Sequence, residues 1–103
     1  MVGDMRDILT ERQVMVLSAL LLLQLIMPNT SMRERLRVLK EKFDIDKNMA
    51  YRVINRLESH GLRNQSGEVD DYAILILLYC IAKHGAEGCD IDEAITGLRE
   101  LMH

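Results

Sequence analysis

"DIDKNMAYRVINRLESHGLR", residues 44–63, is the stretch on which the reading of the fold turns. Ala50, Val53, Ile54 and Leu57 recur at three- and four-residue spacing, so one side of a helix running from Lys47 to about His60 is apolar. Asp46 stands where an N-cap belongs, and Gly61 where a left-handed residue ends a helix with Leu62 folded back as its hydrophobic partner. The opposite side carries Lys47, Asn48, Tyr51, Arg52, Asn55 and Arg56, a single polar and basic strip. Either the strip is the wet side of an ordinary surface helix, or it reads a nucleic acid.

Upstream, Ser31-Met32-Arg33-Glu34 has the form of a capping box and opens a helix to about Phe43. Its apolar side is Met32, Leu36, Leu39 and Phe43, and its other side holds Arg33, Arg35, Arg37, Lys40 and Lys42. Two short helices joined through Asp44-Ile45-Asp46, the second with a basic front, form a helix-turn-helix pattern. The charge distribution agrees with it. The net charge is -3, yet nine of the thirteen Lys and Arg residues fall within residues 31–63, against five acids, whereas residues 64–103 hold two basic and eight acidic side chains. A basic island in an acidic chain points to a partner for that island.

Before the pair, Thr10-Glu11-Arg12-Gln13 is another capping box, and the helix it opens runs to about Met27, ahead of Pro28. Between Val14 and Met27 only Ser18 and Gln24 are polar. That run is shorter than the roughly 18 apolar residues a membrane span needs, so the helix has to be buried by protein. After the pair, residues 64–71 are polar, with a turn signal at Ser66-Gly67 and a cap at Asp70 or Asp71. Residues 72–82 are apolar throughout and read as helix, although a buried strand would show the same run. Asp90-Ile91-Asp92-Glu93 caps a last helix to about Met102, with Ile91, Ala94, Ile95, Leu98 and Leu101 on one face.

The chain of 103 residues is thus read as one all-α or mainly α domain. Residues 9–63 form a three-helix helix-turn-helix core, 64–71 a reduced wing or plain loop, and 72–103 two C-terminal helices. Such a chain buries only about 65% of its unfolded surface. Two helices apolar on all faces, 14–27 and 72–82, are therefore expected to be covered partly by a second copy. The expected two-fold interface uses Leu21, Leu22, Leu25, Ile74, Leu77, Leu78 and Ile81.

The segments "LTERQVMVLSALLLL" and "SMRERLRVLKEKFDIDKNMAYRVINRLESHGL" resemble the winged-helix transcription regulators of the MarR type. The likeness runs through Leu9-Thr10, Gln13, Val16-Leu17, Ser31, Leu36, Ile45-Asp46-Lys47, Val53, Arg56-Leu57-Glu58 and His60-Gly61-Leu62, and it covers residues 9–63. It implies a homodimer on a pseudo-palindromic operator, with helix 47–60 in the major groove. The chain departs from the pattern after Leu62, where residues 63–71 are short and acidic beyond Arg63 and no basic wing is evident.

The functional expectation is a sequence-specific double-stranded DNA-binding protein, a transcriptional regulator acting as a homodimer. Asn48, Tyr51, Arg52, Asn55 and Arg56 are expected at base edges, because arginine bridges two acceptors of guanine and asparagine pairs with adenine. Arg33, Arg35, Lys40, Lys47 and Arg63 are expected at phosphates. The alternative is a protein–protein interaction module that keeps a winged-helix core and does not bind DNA. Cys80 and His84 are four apart, with Cys89 near, but a structural zinc site wants four ligands in short paired spacings, so no metal and no cofactor is expected. No phosphate-binding glycine loop, nucleophile elbow or His-Glu-x-x-His occurs, and an enzyme is not expected. No secretory leader pattern opens the sequence, so a cytoplasmic protein with reduced thiols, rather than a Cys80–Cys89 disulfide, is the expectation.

Overall fold

A computed structural model of the chain describes residues 8–62, 69–85 and 87–102. The described residues are mainly helical, with five helices and one small antiparallel sheet. In chain order they are β1 (Ile8–Thr10), α1 (Glu11–Ile26), α2 (Met32–Phe43), α3 (Lys47–Ser59), α4 (Asp71–His84), β2 (Gly88–Asp90) and α5 (Ile91–Leu101). Helix, not strand, is the outcome for the apolar run after residue 71, and it extends to His84. Residues 63–68, with most of the stretch read as a wing or loop, lie outside the described residues.

Each helix begins at a side chain that satisfies its free amides. Thr10 and Gln13 make the full reciprocal box on α1. Asp46, Asp70 and Asp90 accept the first amides of α3, α4 and α5. At α2 only half of the expected box forms. Ser31 accepts the Glu34 N–H, but the Glu34 carboxylate turns away to Arg37, whose guanidinium donates to it at 2.7 Å. A nearby charged donor outcompetes a backbone amide for that carboxylate. Gly61 has φ +71°, and the Leu62 N–H returns to the Leu57 carbonyl at 2.9 Å, as a left-handed C-cap requires.

The sheet is not visible in the sequence. Ile8, Leu9 and Thr10 pair with Asp90, Cys89 and Gly88 in antiparallel register, so each strand runs straight into the N-cap of a helix. Leu9 and Cys89 are fully buried at its centre. Cys89 is joined to Cys80 of α4 in a disulfide, with Cα atoms 5.3 Å apart. That corrects the expectation of two reduced thiols: both cysteines lie in the core on neighbouring elements, where nothing separates the sulfurs.

α1 is the centre of the packing. Val14, Val16, Leu17, Ala19, Leu20, Leu21 and Leu23 are buried against α2, α3, α4 and β2. Its partner α4 lies antiparallel to it, because Gln24 near the end of α1 bonds Val69 just before α4. The Gln24 amide donates to the Val69 carbonyl at 2.8 Å and accepts the Val69 N–H at 2.9 Å, like one rung of a sheet. α5 packs on α4, where Gly97 faces Tyr79 so closely that a β-carbon would fall within the ring. Contacts between histidines and carboxylates close this end of the molecule. Glu93 accepts from His84 at 3.0 Å, a bond that with the adjacent Lys83 holds its carboxyl below the usual range, and His60 at the end of α3 lies 3.6 Å from Asp92 of α5.

Alanine normally stabilises a helix interior relative to glycine by about 1 kcal/mol. Gly97→Ala is instead expected to lower stability by about 1–3 kcal/mol, because the methyl group must displace the Tyr79 ring. In a Tyr79→Ala background the same change should become stabilising. Urea unfolding of the four proteins in that cycle checks the reversal of sign.

Candidate nucleic-acid interface

The turn between α2 and α3 is built by three residues with distinct roles. Asp44 takes the left-handed conformation at φ 56°, and its carbonyl accepts from Arg12 of α1 at 3.3 Å. Ile45 points inward and is buried, with its N–H on the Leu39 carbonyl at 3.1 Å. Asp46 accepts from the Asn48 N–H at 2.6 Å and the Met49 N–H at 3.2 Å. Those amides, Met49 first, hold its carboxyl below the ordinary aspartate range, and the charges of Lys40 and Arg52 add to the effect. The sequence thereby fixes where α3 starts and which way its first turn faces.

α3 buries Ala50, Val53, Ile54 and Leu57, as its periodicity requires. Lys47, Asn48, Tyr51, Arg52 and Asn55 face outward and are exposed. Arg33, Lys40 and Lys42 of α2 are exposed as well, and a groove between the starts of the two helices is bordered by Arg33, Arg37, Lys40 and Lys47 together with Glu34 and Asp46. Not all of these charges are equally available. Arg37 is held by Glu34 and Glu41 on its own helix, and Lys40 lies 3.6 Å from Asp44. Exposed pairs of this sort are weak and exchange readily for another anion.

Two arginines assigned to DNA by the sequence reading have other work. Arg35, expected at a phosphate, is only 4% exposed. Its guanidinium donates to the Met27 carbonyl at 2.9 Å, the Pro28 carbonyl at 3.1 Å and the Thr30 hydroxyl at 3.2 Å. α1 has no basic residue in its last turn, and Arg35 supplies from α2 the donors and the positive charge that its carbonyl end lacks. Arg56, expected at a base edge, leans back to the start of α1. It donates to the Gln13 side-chain oxygen at 2.7 Å and to the Ile8 carbonyl at 2.6 Å. The same Gln13 oxygen accepts the Thr10 N–H at 3.0 Å, so the capping box of α1 also anchors α3. Arg63 lies outside the described residues.

The expected dimer residues also divide. Leu21 and Leu77 are buried within the single chain and have no surface to offer a second copy. Packing within the chain covers them, which helical periodicity alone could not reveal. Ile74 is half-buried. Leu22, Leu25, Leu78 and Ile81 are exposed, Leu25 to 64% and Leu78 to 56%. Met15, Ile26 and Leu75, which the sequence reading did not single out, are exposed beside them in the chain. Met15, Leu22, Phe43 and Ile81 line one groove, so parts of α1, α4 and the end of α2 share an apolar surface.

Among the described residues no group of three or more His, Cys, Asp or Glu is placed to hold a metal ion, and no helix is long and apolar enough to cross a membrane. Comparison with family models, with curated proteins and with solved structures yields no match to this chain.

Arg35→Ala is expected to cost about 1–3 kcal/mol in urea unfolding, since it removes the bonds that a buried guanidinium makes to the Met27 and Pro28 carbonyls and the Thr30 hydroxyl. Its effect on the salt dependence of any DNA binding should be nil once unfolded protein is accounted for. A change in that salt dependence with intact stability would return Arg35 to the surface role the sequence suggests.

Proposed function

We propose that this chain is a sequence-specific double-stranded DNA-binding protein, a cytoplasmic transcriptional regulator of the winged-helix MarR type that acts as a homodimer without a cofactor. The observation that carries the reading is the outward strip of α3: Asn48, Tyr51, Arg52 and Asn55 are exposed and none of their side chains is hydrogen-bonded within the described residues. A major groove about 12 Å wide admits one helix. Arg52 is suited to the two acceptors of guanine, and Asn48 and Asn55 to adenine. Arg33, Lys40 and Lys47 border the strip on the side where phosphates would pass, and the start of α3 adds its own amide dipoles. Tyr51 supplies a hydroxyl for either partner.

The apolar surface of α1 and α4 supports the second half of the reading. Met15, Leu22, Leu25, Leu75, Leu78 and Ile81 are large apolar side chains left in water by one copy, and a two-fold partner presenting the same helices would cover them. Two copies of α3 would then face successive major grooves about 34 Å apart.

A protein–protein interaction module is the second reading, favoured by the same apolar surface and by the eight acidic side chains of residues 64–103. A gel shift against genomic fragments at two salt concentrations separates the two. Binding that fails even at low salt leaves the interaction module.

Under the DNA reading, Arg52→Ala is expected to cost about 1–3 kcal/mol of specific binding and to relax preference at one base pair, whereas Lys47→Ala should weaken all sequences alike and reduce the salt slope by about one. A Lys47→Ala slope equal to wild type would remove that residue from the phosphate contacts. For the dimer, Leu78→Glu should convert the sedimenting species from two copies to one with the helical circular dichroism retained. A wild-type protein that sediments as a single copy at high micromolar concentration would refute the dimer outright.

A further inference from the structure

The Cys80–Cys89 bond plays no part in the surface just described, and its position in the fold gives it a use. Cys80 lies on the buried side of α4 and Cys89 at the middle of β2. β2 is the strand partner of β1, with Cys89 opposite Leu9. β1 in turn presents the Ile8 carbonyl to Arg56 of α3, and ends at Thr10, whose N–H shares the Gln13 oxygen with that same guanidinium. The disulfide, the strand pairing and the Arg56 anchor therefore stand in series between α4 and α3. A pairing only three residues long is weak on its own, so the position of β1, which is also tied to α1 at Thr10, draws part of its hold from whatever fixes β2.

We propose that the Cys80–Cys89 disulfide is a redox-responsive clasp that sets the seating of α3. Closed, it ties β2 to α4 and holds β1 where its Ile8 carbonyl receives Arg56. Open, β2 keeps its apolar contacts but loses its covalent tie, the β1–β2 pairing loosens, and α3 loses the fixed acceptor at its Arg56 end. The reductant is a small dithiol. One of its thiolates attacks a sulfur of the pair, the Cys80–Cys89 bond breaks, and a mixed disulfide forms. Its second thiol displaces that intermediate and leaves as the oxidised reductant. Two electrons enter the pair and two protons complete the thiols of Cys80 and Cys89. Both sulfurs are buried, so attack follows local opening at β2 and is slower than at an exposed disulfide. In a reducing cytosol, where such bonds form and break, this would make the clasp a sensor and not a permanent staple.

The inference rests on the DNA reading only for its consequence, which is weaker operator binding after reduction. Its structural half is tested without DNA, so failure of one is told apart from failure of the other. The experiment is hydrogen exchange by mass spectrometry on the full chain, first after incubation in an oxidising glutathione buffer and then after dithiothreitol. Before reduction the intact mass should show the pair two hydrogens lighter than the dithiol. Reduction should speed exchange across residues 8–10 and 88–90 by about tenfold or more, with peptides of α2 changing less than about twofold. The Cys80→Ala/Cys89→Ala variant should match the reduced protein and ignore dithiothreitol. If that variant does not fold, the wild-type pair of measurements decides alone. Free thiols surviving the oxidising buffer, no change on reduction, or an equal change along the whole chain would each overturn the clasp.

Discussion

A helix apolar on almost every side must be covered on almost every side, and α1 imposes that condition on everything else in the molecule. Seven of its sixteen residues are buried. At roughly 1.5–3 kcal/mol for each large side chain removed from water, their burial is the strongest local driving force in the chain. α2, α3, α4 and β2 are arranged by the need to supply that cover. The condition explains how the two polar residues after its first turn, Ser18 and Gln24, are accommodated. Ser18 returns its hydroxyl to the Val14 carbonyl at 2.8 Å, and Gln24 satisfies both backbone groups of Val69. Arg35 belongs to the same packing, because α2 lies against α1 and its guanidinium donates to the carbonyls of Met27 and Pro28 just past the end of α1. What remains uncovered, from Met15 through Leu22 to Leu25 and Ile26, is a remainder that no element among the described residues hides.

The same condition narrows the basic surface. Nine cations in residues 31–63 suggest a broad patch. Arg35 is consumed in closing α1, Arg56 in seating α3, and Arg37 is shared between two glutamates. Arg35 and Arg56 still contribute to the field around the molecule, but they cannot make the short directional contacts on which base or phosphate recognition depends. The usable set reduces to the α3 strip and the exposed cations beside it. A small set on a rigidly seated helix discriminates better than a larger mobile one, since each contact is held near its working geometry before any partner arrives.

Much of this was legible in the sequence, for local reasons. Thr10, Ser31, Asp46 and Asp90 could be placed as N-caps, the cap of α4 narrowed to Asp70 or Asp71, and Gly61 placed as a left-handed stop, because a cap depends only on its next three or four neighbours. The buried stripe of α3 follows from spacing alone. What escaped depends on which elements meet. Strands of three residues beside a cap carry too few side chains to show a period. A helical wheel put Arg35 and Arg56 among the other cations because it records direction around one axis and not the neighbouring helix end. A signal for Arg35 did exist: α1 ends without a basic residue of its own, so a donor from elsewhere was needed. Leu21 and Leu77 are equivalent to Leu22 and Leu78 by spacing, and only the packing of the helices against one another distinguishes them. The disulfide was set aside on compartment grounds, which say nothing about proximity.

The acidic remainder of the chain bears on where along α3 recognition would work. A net charge of -3 would seem to forbid DNA, but charge acts locally when salt screens it. At physiological ionic strength the screening length is about 8 Å. α3, at thirteen residues, is about 20 Å long. Its far end touches the acidic half of the molecule, with His60 3.6 Å from Asp92, and Glu58 is exposed nearby. Its near end carries Lys47 and Asn48 about two screening lengths away, with Arg33 and Lys40 bordering the same groove as Lys47, and Tyr51 and Arg52 stand between the two ends. A duplex would therefore meet an attractive first half and a repulsive last turn of the same helix. The turns from Lys47 to Asn55 would enter the groove and the end at Ser59 would stay clear of the backbone. Such a tilt would follow from the charge gradient along α3 and would require no wing to enforce it.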